Sequence, residues 1–491
     1  MKQMIQYIYK IALLFSVLTL GACNDWLDIS PRTEIKSDDN FSSEQGYKDA
    51  LTGVYILMTD PAVYGKEMTF GMVDVLAQYY TGINQSSHSY YNDMAYQYNE
   101  TSCENRINSI WSKGYNVIAN INELIAHIDR ADQRMFTGRN YHLIRGEAYG
   151  LRAFVHFDLL RLFGKSYKVD PAALAIPYVT VSGKDVTPLS SVGGVLDKAL
   201  ADLTVAEQEL LADPVITGSV ENTTDDTSYE RDRTFKFNYY AVKMLQARIY
   251  LYKGDYTAAA RAAEAVIGQS SFTWVPESEI STSDAAQKNY VFSEELVFSL
   301  YVSGLRDLYT ASFSSNSGLY MTEESYDALY ETDKYGAFAD YRYVYQTESL
   351  SDIRVCTKLK QPENGRSQYL YRMPLMRISE AYYIAAECAL SENNDVGAAA
   401  GYLNTVRGHR GLNQELSENA EISEMEEEIY KEYAKEYCCE GQLFYYFKRK
   451  NMSRIPVRTA SNGNISITYV TPDYVFPLPD DEIEYGGRTQ E

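Results

Sequence analysis

The stretch from Phe237 to Ile267 reads FNYYAVKMLQARIYLYKGDYTAAARAAEAVI. Apolar residues recur at helical spacing as far as Leu251-Tyr252, Gly254-Asp255 supplies a turn, and Ala258, Ala259, Ala262, Ala263 and Val266 resume the period. The pattern predicts a helical hairpin in which alanines line the seam where two helices approach closely. Met376 to Val406 repeats the plan, with Ala381, Ala385, Ala386 and Ala389, a turn at Asn393-Asn394-Asp395, then Ala398, Ala399, Leu403 and Val406.

Two units of this kind, each about 30 residues long, resemble tetratricopeptide hairpins without matching their full consensus. Working outward, Trp111, Tyr115, Ile118, Ile121 and Ile125 fall at helical spacing. A further helix is expected from about Tyr141 to Phe163, with Leu143, Ala148, Leu151, Phe154, Phe157 and Leu160 on or near one face and Gly164 as its stop. The fold class expected is therefore mainly α, built of irregular tetratricopeptide-like hairpins, with long loop-rich insertions and few short strands. The insertions are expected at about 60–105 and 270–370. In the first, Tyr79-Tyr80-Thr81-Gly82 and Tyr90-Tyr91-Asn92 sit in a polar, aromatic run with no helical or strand period. In the second, Trp274, Tyr309, Asn316 and Tyr320 lie among serines, with Val297-Phe298-Ser299-Leu300 as a short strand. A long loop inside a compact chain usually has a function.

The beginning of the chain has a different character. Lys2 and Lys10 precede an apolar run, Ile11 to Leu20, that is too short for a mature membrane span and suits a secretory leader. It ends in Leu20-Gly21-Ala22-Cys23, small residues just before a cysteine, as lipoprotein processing needs. We expect residues 1–22 to be a signal peptide, Cys23 the lipidated N-terminus, 23–40 a tether and 41–491 a single body. Several acyl chains, each inserting with about 0.8 kcal/mol per buried CH₂, would make a stable anchor.

Charge and chemistry narrow the function. Asp and Glu number 67 against 45 Lys and Arg, a net charge of −22, and no basic run follows a phosphate backbone, so nucleic acid is not an expected partner. Only five histidines occur, none in zinc-helix spacing, and there is neither a nucleophile elbow nor a phosphate-cradling glycine loop. No catalytic residue, cofactor or metal site is expected. Cys103, Cys356, Cys388, Cys438 and Cys439 lack disulfide-framework or zinc spacing and read as buried thiols. The 45 tyrosines against 3 tryptophans are the compositional oddity. A tyrosine ring can face a sugar's C–H surface while hydroxyls and amides take up the sugar hydroxyls. The candidate ligand-binding residues are Tyr79, Tyr80, Tyr90, Tyr91 and Asn92, then Trp274, Tyr309 and Tyr320.

Taken in order along the chain, these segments resemble one family, the SusD/RagB-type outer-membrane nutrient-binding lipoproteins. The matching features are Cys23 followed by Leu27-Asp28-Ile29-Ser30-Pro31, Trp111 to Tyr115 with Asn120, Glu147-Ala148 with Arg152-Ala153 and Phe163-Gly164, and Ala247-Arg248 through Tyr252. They continue with Arg377-Ile378-Ser379-Glu380-Ala381 leading to Ala386-Glu387, Leu403 to Arg407, Glu432, Glu436 and Glu440-Gly441 with Lys448-Arg449, and Phe476-Pro477-Leu478-Pro479 before Glu482-Ile483. The chain departs from the family at Leu443 and Tyr446, where an Arg and an Asp are usual. The resemblance implies a SusD-like helical body that holds glycan at the cell surface above a SusC-like TonB-dependent transporter, without turning it over. Two alternatives stay open: capture of peptide or glycopeptide by the same architecture, and a surface glycoside hydrolase built on two carboxylates.

Overall fold

The computed structural model describes residues 40–183, 185–218, 228–313, 318–351, 353–461 and 464–488. The leader, Cys23, the Leu27 to Pro31 motif and Asn316 lie outside these residues. The chain divides into two compact units, Met1–Asp49 and Ala50–Glu491. In the first, the Phe41 and Tyr47 rings meet at 4.9 Å and Lys48 pairs with Glu44 at 3.0 Å. Everything below concerns the second.

The second unit is mostly helical. Its principal helices are α1 (Thr101–Ile128), α2 (Asn140–Phe163), α3 (Val192–Glu209), α4 (Tyr239–Lys253), α5 (Tyr256–Ile267), α6 (Leu305–Phe313), α7 (Glu323–Tyr330), α8 (Ile378–Asn393), α9 (Val396–His409), α10 (Ile422–Glu436) and α11 (Leu443–Lys450). The strands are short and form small antiparallel sheets: β1 (Leu174–Pro177) with β2 (Leu189–Ser191), and β3 (Leu296–Tyr301) with β7 (Arg372–Arg377). β6 (Ile353–Cys356) pairs with both β4 (Met321–Thr322) and β5 (Thr347–Leu350), and β8 (Ile455–Ser461) pairs with β9 (Asn464–Val470). Successive helices pack on one another from α1 to α5, α5 packs on α8, and α8 carries α9 and α10.

The two hairpins are closed by the same local chemistry. In α4, the Asn238 side chain accepts from the Tyr240 and Ala241 amides, and Gly254 ends the helix at φ 76°. Asp255 then caps α5 by accepting from the Ala258 amide at 3.1 Å. In α8 and α9, Asn394 takes the left-handed turn at φ 53° and Asp395 accepts from the Ala398 amide at 2.8 Å. Each short turn reverses the chain, so Ala259 and Ala263 on one hairpin, and Ala381, Ala385 and Ala399 on the other, are buried. Gly164, by contrast, ends α2 in extended backbone, with its amide on the Leu160 carbonyl at 2.9 Å.

Both insertions are rich in loops and turns, as expected, with short elements set among them. Within 60–105 the chain is wound into turns and two short helices, Met72–Leu76 and Tyr91–Met94, and most of its rings are buried. Within 270–370 lie α6, α7 and strands β3 to β6, including the strand expected at Val297 to Leu300. Elements of two to nine residues are too short to show a period above their tyrosine-rich and serine-rich background.

Polar groups join these pieces inside the core. Arg248 of the first hairpin donates to Glu380 of the second at 2.5 and 2.7 Å. Glu147 accepts from Tyr55 and Arg233, both at 2.7 Å, while Arg152 grips Asp202 through two bonds of 2.6 and 2.7 Å. Glu432, Glu436 and Glu440 form the densest set. Glu436 takes Arg410 at 2.6 Å, Arg342 at 3.1 Å and the Ser379 hydroxyl at 2.9 Å. Glu432 takes Arg342 at 2.9 Å and Arg407 at 3.2 Å, and Glu440 takes Arg377 at 2.8 Å and Lys358 at 2.7 Å. Arg410 also pairs with Glu295, immediately before β3, at 2.5 Å. At Leu443 and Tyr446 the departure from the family pattern is filled by packing, since both are buried and the Tyr446 ring lies 4.8 Å from that of Tyr433.

Because removing one partner strands the other charge in a dry core, Glu436→Ala should cost about 3–5 kcal/mol in a urea titration, against less than about 0.5 kcal/mol for exposed Glu427→Ala. Burial alone would raise the Glu432 carboxyl, but Arg342, Lys435 and Arg407 outweigh it and hold the group at about 2. Arg449 and Lys450 likewise hold Glu387 at about 2 against the effect of burial. Both lie below the ordinary value of 4.5, so the stability they confer is fully present above pH 4.5 and is lost as the pH falls towards 2. Melting temperatures measured from pH 6 to 2 should therefore fall steeply over that lower window.

Candidate functional site

α1 has two faces. Ile107, Ile110, Val117, Ile118, Ile121 and Leu124 point into the core, while Asn105, Asn108 and Ser112, at i, i+3 and i+7, point the other way with Trp111 and Tyr115 beside them. Over this outer face, the segment after β1 and the C-terminal stretch close a cleft of about 1060 Å³. Its walls include Pro177, Val179, Val186 and Thr187 on one side and Pro479 to Glu482, Tyr485 and Arg488 on the other.

The walls are held from within. Tyr115 donates its hydroxyl to the Pro177 carbonyl at 2.9 Å, and Asn122 donates to the Val179 carbonyl at 2.9 Å. His156 stacks on Tyr178 at 3.9 Å and accepts from the Val179 amide at 3.0 Å. Burial keeps this imidazole neutral, lowering its pKa to about 3. The C-terminal wall is pinned by Phe476, whose amide donates to Leu162 O at 3.0 Å and whose ring sits edge-on between Tyr98 and Phe163. Beyond that anchor, Arg488 donates to Glu482 at 3.0 Å and to Thr187 O at 2.7 Å, tying the two walls together.

The cleft offers an aromatic face and a set of polar groups together. Tyr485 on the rim is 73 % exposed, while the Trp111 indole, 4.7 Å from both Tyr115 and Phe163, forms part of the floor. The side-chain amides of Asn105 and Asn108 make no hydrogen bond among the described residues. Glu104, Asp185, Asp480, Asp481 and Glu482 give the cleft acidic walls, against Lys113 and the already engaged Arg488. Such a site can stack a ring-shaped, hydroxyl-rich, uncharged ligand and bond its edges, and it opposes an anion.

None of the eight residues singled out from the sequence lines this cleft. Tyr79, Tyr80 and Tyr90 are corrected outright as stacking platforms: their relative exposures are 1 %, 1 % and 3 %. Their hydroxyls are spent on Ala434 O at 2.7 Å, Phe70 O at 2.8 Å and Glu67 at 2.8 Å respectively, so these tyrosines are core residues with satisfied polar tips. Tyr91 is exposed, and the Asn92 amide reaches Ser102 Oγ at 3.4 Å. Tyr320 joins the first group in space: its carbonyl accepts from the Thr81 and Gly82 amides, and a Cβ at Gly82 would lie 2.5 Å from Tyr320 Cε1, so only glycine admits the ring. Tyr309 packs on Phe313 at 5.2 Å and donates to Cys356 O at 3.2 Å. Trp274 is half-buried, stacked on His409 at 4.5 Å and 12°, with Tyr382 at 5.3 Å, and lines a separate hollow of about 320 Å³. The residues missed were Asn105, Asn108 and Tyr485. A signal for the first two was present, since the polar stripe of α1 carries amides where a solvated helix face usually carries charges.

Comparison with known proteins agrees with this architecture. A family model described as SusD-like, starch-binding associating with outer membrane, matches residues 25–251. SusD-like protein P2 of Formosa agariphila is 22 % identical, the alignment covering 97 % of each chain. SusD-like protein P38 of the same organism is 26 % identical over 53 % of this chain and 45 % of its own. Among solved structures, a SusD superfamily protein of Bacteroides thetaiotaomicron superposes with a TM-score of 0.70 at 21 % identity, covering 91 % of this chain and 98 % of that one. The fold is SusD-like. A SusD-like carbohydrate binding protein of Bacteroides vulgatus has the same fold, with a TM-score of 0.67 at 18 % identity over 91 % of this chain and 97 % of its own. In this SusD-like chain, residues that match the family pattern are buried joints: Glu147, Arg152, Arg248, Glu380, Glu387, Arg407 and Phe476 all hold one element to another.

Two substitutions separate the core tyrosines from the cleft. Tyr79→Phe should lower stability by about 1 kcal/mol, measured by denaturant titration, and leave ligand affinity unchanged. Tyr485→Ala should leave the unfolding midpoint unchanged and weaken binding by roughly fivefold to tenfold, about 1 to 1.4 kcal/mol, measured by calorimetry with whatever oligosaccharide the unaltered protein retains.

Proposed function

We propose that this chain is a cell-surface lipoprotein that binds oligosaccharide in the cleft over α1, without cleaving it, and passes it to a SusC-like TonB-dependent outer-membrane transporter. The observation that carries the reading is the cleft itself: an exposed tyrosine face beside uncommitted amides, in a fold whose family is described as starch-binding and associating with outer membrane. The acidic walls favour neutral over uronic or sulfated glycans, because a second anion there would meet carboxylates at short range in a partly desolvated site. The hollow at Trp274 is a second, smaller aromatic surface on which a longer glycan could lean.

Attachment to the membrane falls to Cys23. Among the described residues no helix is long and apolar enough to cross a membrane, and the leader ends in the small residues that lipoprotein processing needs. With acyl chains on Cys23, the net negative charge of the chain is compatible with an anionic lipid surface, since insertion of the chains does not depend on electrostatic attraction.

Calorimetry with panels of neutral oligosaccharides, acidic oligosaccharides and peptides tests the ligand. Heat with a neutral glycan, abolished by Tyr485→Ala combined with Asn108→Ala and only weakened by Trp274→Ala, is the expected result. Heat with peptides alone would transfer the reading to peptide capture, and accumulation of reducing ends during incubation would make the protein a hydrolase. Cys23→Ala should shift the protein from the membrane pellet to the soluble fraction after a high-salt wash of cells lacking the transporter. Continued pelleting under those conditions contradicts the anchor.

A further inference from the structure

The five cysteines of the described body are scattered in sequence, yet the fold gathers three of them. The Sγ atoms of Cys356, Cys438 and Cys439 lie within 4.8 Å of one another, and all three residues are buried. Cys356 ends β6, a strand inside the second insertion, and Cys438 and Cys439 follow α10 directly.

The turn that carries the adjacent pair is built with effort. Cys439 holds φ 70°, a left-handed conformation that a residue with a Cβ adopts only under constraint. The constraint is visible on each side. Lys358 Nζ donates to Glu436 O at 2.7 Å, to Cys438 O at 3.0 Å and to Glu440 at 2.7 Å, while the Gly441 amide donates to Asp74 Oδ1 at 3.0 Å. Asp74 Oδ2 is buried there with no hydrogen bond among the described residues. The Tyr80 hydroxyl, which gives its proton to Phe70 O, stands 3.8 Å from Cys439 Sγ. Side chains that follow one another along a chain ordinarily diverge; here the turn aims both sulfurs at a third from another element.

We infer that Cys356, Cys438 and Cys439 form a three-sulfur site for one thiophilic d¹⁰ cation, of the Cu(I) or Zn(II) class, buried at the joint between the second insertion and α10. The spacing supports it. Three sulfurs around a cation at about 2.3 Å stand about 4.0 Å apart when the arrangement is planar and trigonal. Cys438 and Cys439 are 4.0 Å apart. A disulfide would need this distance to close to about 2.05 Å and would leave the third thiol without a role. Three thiolates select soft cations over calcium or magnesium, and trigonal coordination, with no fourth sulfur gathered among the described residues, favours Cu(I). Loading exchanges thiol protons for the cation, so up to three protons leave per ion bound, and the Lys358 ammonium beside the turn offsets part of the remaining negative charge. The cation would lock β6 to the α10 turn, a structural role separate from the cleft and independent of what the cleft binds.

The test uses the mature chain, reduced and handled without oxygen, with Cd(II) as a probe whose thiolate bonds absorb in the ultraviolet and with Cu(I) offered from a chelator. Because the site is buried, each ion is added both to the native protein and during refolding from urea. We expect one ion per chain, X-ray absorption showing sulfur neighbours at about 2.3 Å for Cu(I), and a raised melting temperature. Cys356→Ser and Cys438→Ser should abolish uptake, whereas Cys103→Ser and Cys388→Ser should retain it. Circular dichroism of each variant reports whether it folds, and the sulfur count from X-ray absorption of the unaltered protein decides the matter even where a variant does not. Absence of uptake by both routes, uptake unaffected by Cys356→Ser in folded protein, or a disulfide joining two of the three in protein isolated without reductant would each overturn the site.

Discussion

The interaction on which the rest of this structure depends is the buried set of ion pairs that radiates from the end of α10. Glu432 and Glu436, one turn apart on α10, and Glu440 in the turn that follows it, receive Arg342, Arg377, Arg407, Arg410 and Lys358. Arg342 and Lys358 come from the second insertion, Arg377 from the strand before α8, and Arg407 and Arg410 from the end of α9. A buried pair contributes little net stability once the desolvation of both charges is counted, but a pair with one member removed is strongly unfavourable. The set therefore acts as a register: only one arrangement of α8, α9, α10 and the second insertion satisfies every charge. Hydrophobic burial supplies the drive to collapse, and these carboxylates decide which collapsed form is native.

The same division of labour holds along the chain. Arg248 and Glu380 tie the first hairpin to the second, Arg152 and Asp202 tie α2 to α3, and Arg233 and Glu147 tie the chain before α4 to α2. Alanine seams let helices approach, while a charged joint at these interfaces fixes how far one slides past the next. Solved structures near 20 % identical to this chain share the fold. The cleft forms where the outer face of α1 is covered only in part, by the segment after β1 and by the C-terminal stretch, which is pinned by Phe476 and carries the short helix Asp480–Tyr485.

How much could be read in advance differs sharply between the scaffold and the cleft. The two hairpins, their turns at Gly254-Asp255 and Asn394-Asp395, the long helix ending at Phe163 and the strand at Val297 were all legible, because helical periodicity and capping are local properties of a sequence. The interior of the insertions was not. Tyr79, Tyr80 and Tyr90 have the composition of a binding surface, and nothing within reach along the chain says that Ala434, Phe70 and Glu67 will meet their hydroxyls. A tyrosine buried with a bonded tip and a tyrosine exposed to ligand look alike until the partner, up to 355 residues distant, is in place.

By itself, then, the sequence determined the class of the scaffold, the places where helices start and reverse, and the absence of familiar catalytic motifs, since each is set by residues a few positions apart. Tertiary structure alone decided which rings face water, that Asn105 and Asn108 on α1 share a cleft with Tyr485 from the other end of the chain, and that Cys356 meets Cys438 and Cys439. The physical reason is range. Periodicity and capping act over one turn of helix, whereas burial and the meeting of functional groups follow from the packing of distant segments, which the buried charges hold in register.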